Sequence, residues 1–504
     1  MLILSLAICS HQFSGFSQYG NLDLTFDGDG KVITGAVGVL EIFRGIGLQS
    51  DGKIVAAGDS NGDFAVNRYN EDGSLDDTFD SDGQVITAVG SGTDKAYGMA
   101  IQSDGKIVLA GYAHVGATDD FAVVRYNTDG SLDNTFDSDG IVTTNIAGFD
   151  DYGSSIVIQA DDKILVAGYG LTGANSDFVV VRYNSDGSLD NTFDADGIVT
   201  TSVGLSADEC NGITLQSDGK IVVVGFSHDG TQTNFSTLRY NTDGSLDNTF
   251  YGDGSVVSPI AGSDSEIMSV AIQTDGRIVV GGRSYNGSDT DLAVGRYDTD
   301  GSFDNTFSGD GKVSVDIAGE YEYGYSVNIQ PDGKILFAGT TVNPDFDIAL
   351  LRFNVNGTLD NTFGSSGIVV TDMETGDDFA YAIAFQPDGK ILVAGFSAVS
   401  GDNNFAIARY ESGLVGTEEL SNGVDLVDIY PNPSTGKFFI LSRSAEVRRV
   451  EIRNTLGESL HMENILSSDN SPIELDLSKF QTGVYFVRVE RSDGSSFTEA
   501  IARY

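Results

Sequence analysis

Residues 125–144 read RYNTDGSLDNTFDSDGIVTT, and residues 182–201 read RYNSDGSLDNTFDADGIVTT, 57 positions later, with changes only at Thr128/Ser185 and Ser138/Ala195. The stretch belongs to a series. The Phe of its Thr-Phe pair recurs at 26, 79, 136, 193, 250, 307 and 363. Its Arg recurs as Arg68, Arg125, Arg182, Arg239, Arg296, Arg352 and Arg409. A third marker, Gln-x-x-Gly/Asp-Lys/Arg, starts at Gln49, Gln102, Gln159, Gln216, Gln273, Gln330 and Gln386. Each marker occurs seven times in the same order, 53 to 57 residues apart. A period of that size marks a solenoid, a propeller or an array.

Four strand-like segments fill one period: GIVTT (140–144), SSIVIQ (154–159), KILVAGY (163–169) and DFVVVRYN (177–184). The second and third are linked by QADDK here and by QSDGK or QTDGR elsewhere. An Asp-Gly link between apolar runs predicts a two-residue hairpin loop with both central residues at positive φ. No stretch carries a helical period. Four antiparallel strands per repeat describe one blade of a β-propeller. The expected fold is all-β, a seven-bladed propeller of four-stranded blades followed by a small C-terminal β-sandwich. KVIT (31–34) precedes the first complete set, and the last FAIARY (405–410) lacks a following GIVTT. The N-terminal strand is therefore expected to complete the last blade and close the ring. The quoted stretch is then the crossover between blades. Its Leu132 and Phe136 plug the junction, and its Arg pairs with an Asp of LDNTF.

These repeats resemble the delta-60 type, with the hallmarks LDxTF…DG and QxDGKI…AG…RY over about residues 19–410. The resemblance implies an exported bacterial protein and assigns no defined biochemical role. The departures are Asp162, where Gly is lost, and Arg352-Phe353 in place of Arg-Tyr.

Net charge is −46, of which −43 precedes Asp425. Such a surface repels nucleic acid and anionic lipid, excluding both as main partners. Apolar content of 40% is that of a globular chain. With only Cys9 and Cys210, no disulfide framework exists. Cys210 fills a slot taken by Ala, Gly, Phe or Ile in other repeats, which reads as packing. The opening MLILSLAICSHQFSGFSQYG suits a secretory signal over residues 1–17.

The DSDG, DGDG and DADG turns invite calcium. In the last repeat, however, the slot reads GSSG (364–367) and the preceding turn VNG (355–357). Turn chemistry covers all seven copies, so no cofactor and no metal site is expected, with calcium at these turns as the alternative. Of 19 Lys and Arg before Asp425, seven are the repeat arginines and seven the DGK/R residues. Lys31, Arg44, Lys95, Arg283 and Lys312 remain. The histidines, His11, His114, His228 and His461, form no triad or metal set. No catalytic residues are assigned.

Arg44, Tyr97, Tyr325 and Tyr381 share the slot five before the marker Gln, at the start of the inner strand. That slot faces the channel mouth, on the rim bearing the loops that vary, and suits a glycan or protein ligand; solvent-exposed filler is the plainer reading. The functional expectation is a non-catalytic surface binding or adhesion propeller, acting as a monomer. The alternative is an extracellular enzyme acting on polysaccharide or another polymer at the variable-loop face.

After residue 410 comes a small-residue, acidic linker (411–424), and residues 425–504 alternate as a β-sandwich would. This tail resembles the type A C-terminal sorting domain of type IX secretion. The residues carrying the resemblance are Tyr430-Pro431-Asn432-Pro433-Ser434-Thr435-Gly436, Asn454-Thr455-Leu456-Gly457, Asp476-Leu477-Ser478 and Gly483-Val484-Tyr485. Arg503 stands where such domains usually carry Lys. The resemblance implies the type IX secretion machinery as partner, export across the outer membrane, and removal of the domain on attachment or release.

Overall fold

The computed structural model describes residues 19–503 except 36–37, 147, 174, 259–262, 318, 343, 414–426, 431–436, 443–446, 455–458, 465–472, 478, 481–482 and 492–495. The turn residues 387–389 aside, the chain forms two compact units, one through Gly413 and one from Leu414 to Tyr504.

In the first unit, seven four-stranded antiparallel sheets follow one another. Six are built from consecutive strands, such as Lys95–Ile101, Ile107–Val115, Thr118–Tyr126 and Ile141–Thr144 in the second blade. The seventh takes Asp378–Phe385, Ile391–Val399 and Asp402–Tyr410 from one end of the unit and Lys31–Thr34 from the other. The closing register runs from Lys31 opposite Ala408 to Thr34 opposite Phe405. Closure follows the expectation, because the outer strand that the C-terminal end lacks is the one that the N-terminal end has to spare.

The middle strands are buried on both faces, which is why they read as continuous apolar runs. Each core cluster spans two blades. Val108, Phe121 and Val123 of the second blade pack with Ile156, Ile164 and Val166 of the third, and Phe136 fills the junction. Above that Phe sits the repeat Arg. Arg125 Nε donates to Asp133 at 2.8 Å, its Nη1 to the Ser185 carbonyl of the next blade at 2.6 Å, and its guanidinium carbon lies 4.6 Å from the Phe136 ring centre. Lys106 of the DGK turn reaches the same Asp133 at 3.3 Å. The pattern repeats around the ring to Arg409, which pairs with Asp23 and donates to the Glu71 carbonyl at 2.5 Å. The repeated sequence is thus one interblade latch written seven times.

One latch is testable in place. Arg182 is buried, bonded to Asp190 at 2.7 Å and to the Thr242 carbonyl at 2.6 Å. Removing one member of a buried pair costs about 3–5 kcal/mol. Arg182→Met is expected to lower unfolding stability by that amount in a denaturant titration. A loss within about 1 kcal/mol is what an exposed pair would give and would contradict the latch.

The hairpin turn corrects the expected geometry. Gly105 N–H donates to the Gln102 carbonyl, and Gln102 N–H to the Lys106 carbonyl, both at 2.9 Å. The loop has three residues and only the Gly is left-handed, at φ 85°. Asp104 instead accepts the Lys106 N–H at 3.1 Å. Asp162 holds the same left-handed position at φ 62° without a glycine, as Asp tolerates. In the DSDG turn, Asp139 accepts the Ile141 N–H at 3.0 Å, so its carboxylate serves the backbone.

The second unit is a two-sheet sandwich. Val427–Tyr430, Lys437–Ser442 and Ile473–Asp476 form one sheet. Val447–Arg453, Ser459–Asn464, Gly483–Arg491 and Ser496–Arg503 form the other. Phe438 and Ile440 of the first share a core with Val450, Ile452, Val487 and Ile501 of the second. Of the sorting motif, Tyr430 ends a strand, Gly483 begins one, and Tyr485 is buried in the shared core. Pro431, Asn432, Pro433, Gly436 and Gly457 lie outside the described residues, as do the expected signal (1–17) and most of the linker (414–424).

Candidate functional site

The seven inner strands converge on the channel, and each carries a β-bulge at the same slot. The register slips between Phe43 and Gly45, Ala96 and Gly98, Gly153 and Ser155, and Cys210 and Gly212. It slips again between Ile267 and Ser269, Gly324 and Ser326, and Ala380 and Ala382. The extra residues are Arg44, Tyr97, Ser154, Asn211, Met268, Tyr325 and Tyr381. A bulge leaves its residue unpaired and re-aims the side chain, and all seven line one cavity of about 440 Å³. The residue before each is buried between blades, Cys210 among them, and burial holds the Cys210 thiol up at about 12. The residue after each is small, because inner strands run close together there. A Cβ on Gly45 would stand 2.8 Å from Met99 Cβ.

The structure brings together all four residues singled out from the sequence. The Arg44 guanidinium lies between two rings, 4.5 Å from the Tyr97 centre and 5.2 Å from that of Tyr381, and bonds to Asp59 at 3.1 Å. Burial opposes its charge, but Asp59 and the tyrosines outweigh burial and raise its pKa. Tyr325 and Tyr381 rings lie 4.6 Å apart. Burial pushes the Tyr97, Tyr325 and Tyr381 phenols up, so all three stay neutral and able to donate.

Further wall residues come from slots the sequence reading passed over. Tyr152 and Glu209 stand seven before their Gln, and Tyr112 and Tyr169 ten after theirs. Tyr112 and Tyr152 meet edge to face at 4.9 Å, and Tyr152 and Tyr169 lie 5.1 Å apart. Burial, then the Glu266 charge, pushes Glu209 up. Glu266 is held by Arg283 at 2.6 Å. The signal for these slots was variability within the period, the same signal that exposed Arg44. At the rim, His114 Nδ1 lies 2.8 Å from Asp119, which also accepts the Tyr152 hydroxyl at 3.1 Å.

The cavity is an aromatic cup with one stacked, ion-paired cation and one acidic sector. Its rings suit the apolar face of a sugar or a side chain, and its phenols, amide and carboxylates suit hydroxyl and amide groups.

A closed ring of seven four-stranded blades with a polar-aromatic channel defines a β-propeller protein. Residues 49–79, 102–136, 159–193, 216–250, 273–307, 330–363 and 386–413 match the family described as domain of unknown function (DUF5122) beta-propeller. Residues 428–502 match the secretion system C-terminal sorting domain. The chain belongs to the DUF5122 β-propellers and carries a type IX sorting domain, which makes it a secreted or outer-surface protein.

A comparison with the curated proteins finds no match. Among solved structures, the chain is similar to a streptogramin B lyase at 13% identity and TM-score 0.46, covering 75% of this chain and 97% of that one. A protein of unknown function from Dyadobacter fermentans is 14% identical, with TM-score 0.40 and coverage of 76% and 97%. A PL25 ulvan lyase bound to -[GlcA(1-4)Rha3S]- is 14% identical, with TM-score 0.42 and coverage of 77% and 96%.

Proposed function

We propose that this protein is a non-catalytic binding or adhesion propeller, and that its axial cup holds a glycan or peptide against Arg44, Tyr97, Tyr325 and Tyr381. The observation that carries the reading is the bulge ring. In a chain that otherwise repeats its interblade contacts seven times, this slot projects an unlike side chain from every blade into one cavity. Its phenols are held neutral and its Arg44 is paired with Asp59, which suits recognition. In this reading residues 18–410 are the binding module, 411–424 the linker and 425–504 the sorting domain that engages the secretion machinery, and the exported protein is a monomer.

The alternative, an enzyme acting on a polymer, draws support from the His114–Asp119–Tyr152 chain at the rim. Burial and then Asp119 push the Tyr152 phenol up to about 12. A phenol in that state is protonated near neutrality, so the phenolate that would act as a base is scarcely populated. Magnitude therefore favours binding.

The test is a glycan and peptide array with the purified protein, followed by Tyr97→Ala/Tyr325→Ala/Tyr381→Ala. Loss of three aromatic contacts is expected to weaken any hit at least about 100-fold, roughly 2.7 kcal/mol. Circular dichroism and gel filtration should stay those of the parent. Binding that survives the triple change removes the cup as the site. Turnover of a polymer by the purified protein overturns the non-catalytic assignment.

A further inference from the structure

A row of buried acids lies on the variable-loop rim, away from the cup. Eight residues before the marker Gln stand Glu41, Asp94, Asp151, Asp208, Ser265, Glu322 and Asp378, all buried. Each faces, across a blade junction, the residue five before the preceding blade's Arg. Across five junctions that residue is also an acid.

At two junctions, side-chain donors reach the preceding blade's acid, although Asp151 Oδ1 and Glu322 Oε2 opposite remain without a hydrogen-bond partner among the described residues. Between the second and third blades, Asn145 Nδ2 donates to Asp120 at 2.7 Å and Thr118 adds a bond at 2.9 Å. Between the fifth and sixth, Asn286 and Ser314 donate to Asp291 at 2.7 and 2.9 Å. Between the fourth and fifth, the pair is Asn234 and Ser265, and no charge arises.

The junction of the sixth and seventh blades differs. Asp372 occupies the slot of Asn145, as Asp316 does one junction earlier, but here no side-chain donor reaches the carboxylate of the preceding blade's acid, Asp347, among the described residues. Carboxylate oxygens of Asp347, Asp372 and Asp378 lie within 4.8 Å of one another. Asp378 is 0% exposed. Its Oδ2 accepts the Met373 N–H at 2.6 Å, while its buried Oδ1 has no hydrogen-bond partner. The Ser397 hydroxyl lies beside the carboxylate, out of hydrogen-bonding geometry. Among the described residues no ion pair reaches these three acids. The nearest cation, Lys31 on the closing strand, donates to the main-chain carbonyls of Asp372 and Met373 at 2.6 and 3.4 Å.

We propose that Asp347, Asp372 and Asp378 bind a calcium-type divalent cation that clamps the sixth blade to the seventh beside the ring seam. Oxygen-only donors select a hard cation. Asp378 Oδ1, buried and with only the Ser397 hydroxyl beside it, is placed to supply a ligand atom. Three carboxylates leave positions that water and main-chain carbonyls fill in flexible calcium geometry. Lys31 ties the Asp372 loop to the closing strand, so the ion would brace the seam itself. The site was invisible in the repeat, since its acids come from two blades and a connecting loop.

A shared proton is the rival occupant. Burial, then neighbouring Asp372, Asp345 and Asp378, pushes Asp347 up to about 6; burial and Asp372 hold Asp378 at about 6 as well. A carboxyl raised in the folded state adds stability below its unfolded pKa and loses it as pH rises through about 6.

The test is calorimetric titration and melting of the full chain with calcium chloride at pH 7.5 and constant ionic strength, beside Asp372→Asn. Asn at that slot reproduces the bridge seen at Asn145 and should fold. The wild type is expected to bind in the range of about 0.1–1 mM and to melt roughly 2–4 °C higher when saturated. Asp372→Asn is expected to lose at least about tenfold in affinity and to melt, without calcium, no lower than wild type. No saturable calcium response overturns the site. An equal response in Asp372→Asn reports only screening of the acidic surface and overturns it too. So does a wild type that is stabilised by acidification to pH 5 yet indifferent to calcium, since protons then fill the role.

Discussion

Deleting residues 19–35 is expected to abolish the cooperative monomeric propeller. That segment holds the closing strand Lys31–Thr34, paired with the third strand of the seventh blade. It also holds Asp23, which accepts from Arg409 Nε at 2.6 Å and pairs with Lys390 at 2.9 Å. Phe26 is 0% exposed beneath the Arg409 guanidinium, 4.5 Å from its carbon. The deletion leaves a buried arginine unpaired, worth about 3–5 kcal/mol. It empties a phenylalanine site, worth about 3–5 kcal/mol more. Together these approach the whole stability of an ordinary domain, about 5–15 kcal/mol. The strand Asp402–Tyr410 is left as a bare edge, which recruits strands from other copies. Light scattering should find oligomers or aggregate in place of monomer, and the thermal transition should broaden or vanish. A peptide of residues 19–35 added in trans should partly restore both. A monomeric truncated protein with the parent's melting temperature would show that the seam does not hold the ring.

Deleting residues 425–504 is expected to leave the propeller inside the outer membrane. The tail is a compact unit with its own core of Phe438, Val450, Val487 and Ile501, and it matches the sorting domain over residues 428–502. The propeller's latches lie in the other unit, and the acceptor furthest along the chain is the Ser412 carbonyl, used by Arg352. The truncated chain should therefore fold and melt as a propeller yet be recovered in the periplasmic fraction. Its appearance at the cell surface or in the medium would break the link between this domain and export. Its degradation without a folded periplasmic pool would place part of the propeller's stability in the tail.

Blade number, strand order and the seam were readable because every blade meets its neighbour through the same residues. Arg, Asp, Thr and Phe must keep fixed spacings for one side chain to bond within its blade, reach the next and cover the plug. Repetition in three dimensions therefore appears as repetition in the chain. The cup was half readable. Arg44, Tyr97, Tyr325 and Tyr381 stand out because their slot breaks the pattern, and the bulge that turns them into the channel recurs in every blade.

By itself the sequence determined the all-β class, the seven blades, the Arg–Asp pair and the Phe plug of the latch, the sandwich tail and its export role, since each rests on local spacing or on a repeated contact. Only the tertiary structure decided which unlike residues meet across blades. It set Tyr112 against Tyr152 and Arg44 between Tyr97 and Tyr381. It gathered Asp347, Asp372 and Asp378 at one junction. It also showed that the DGK hairpin is a three-residue loop with a single left-handed position. The physical reason is common to all of these. Periodicity constrains what each blade does in the same way, whereas contacts made once, between slots of different phase, depend on how closed strands are staggered around the axis.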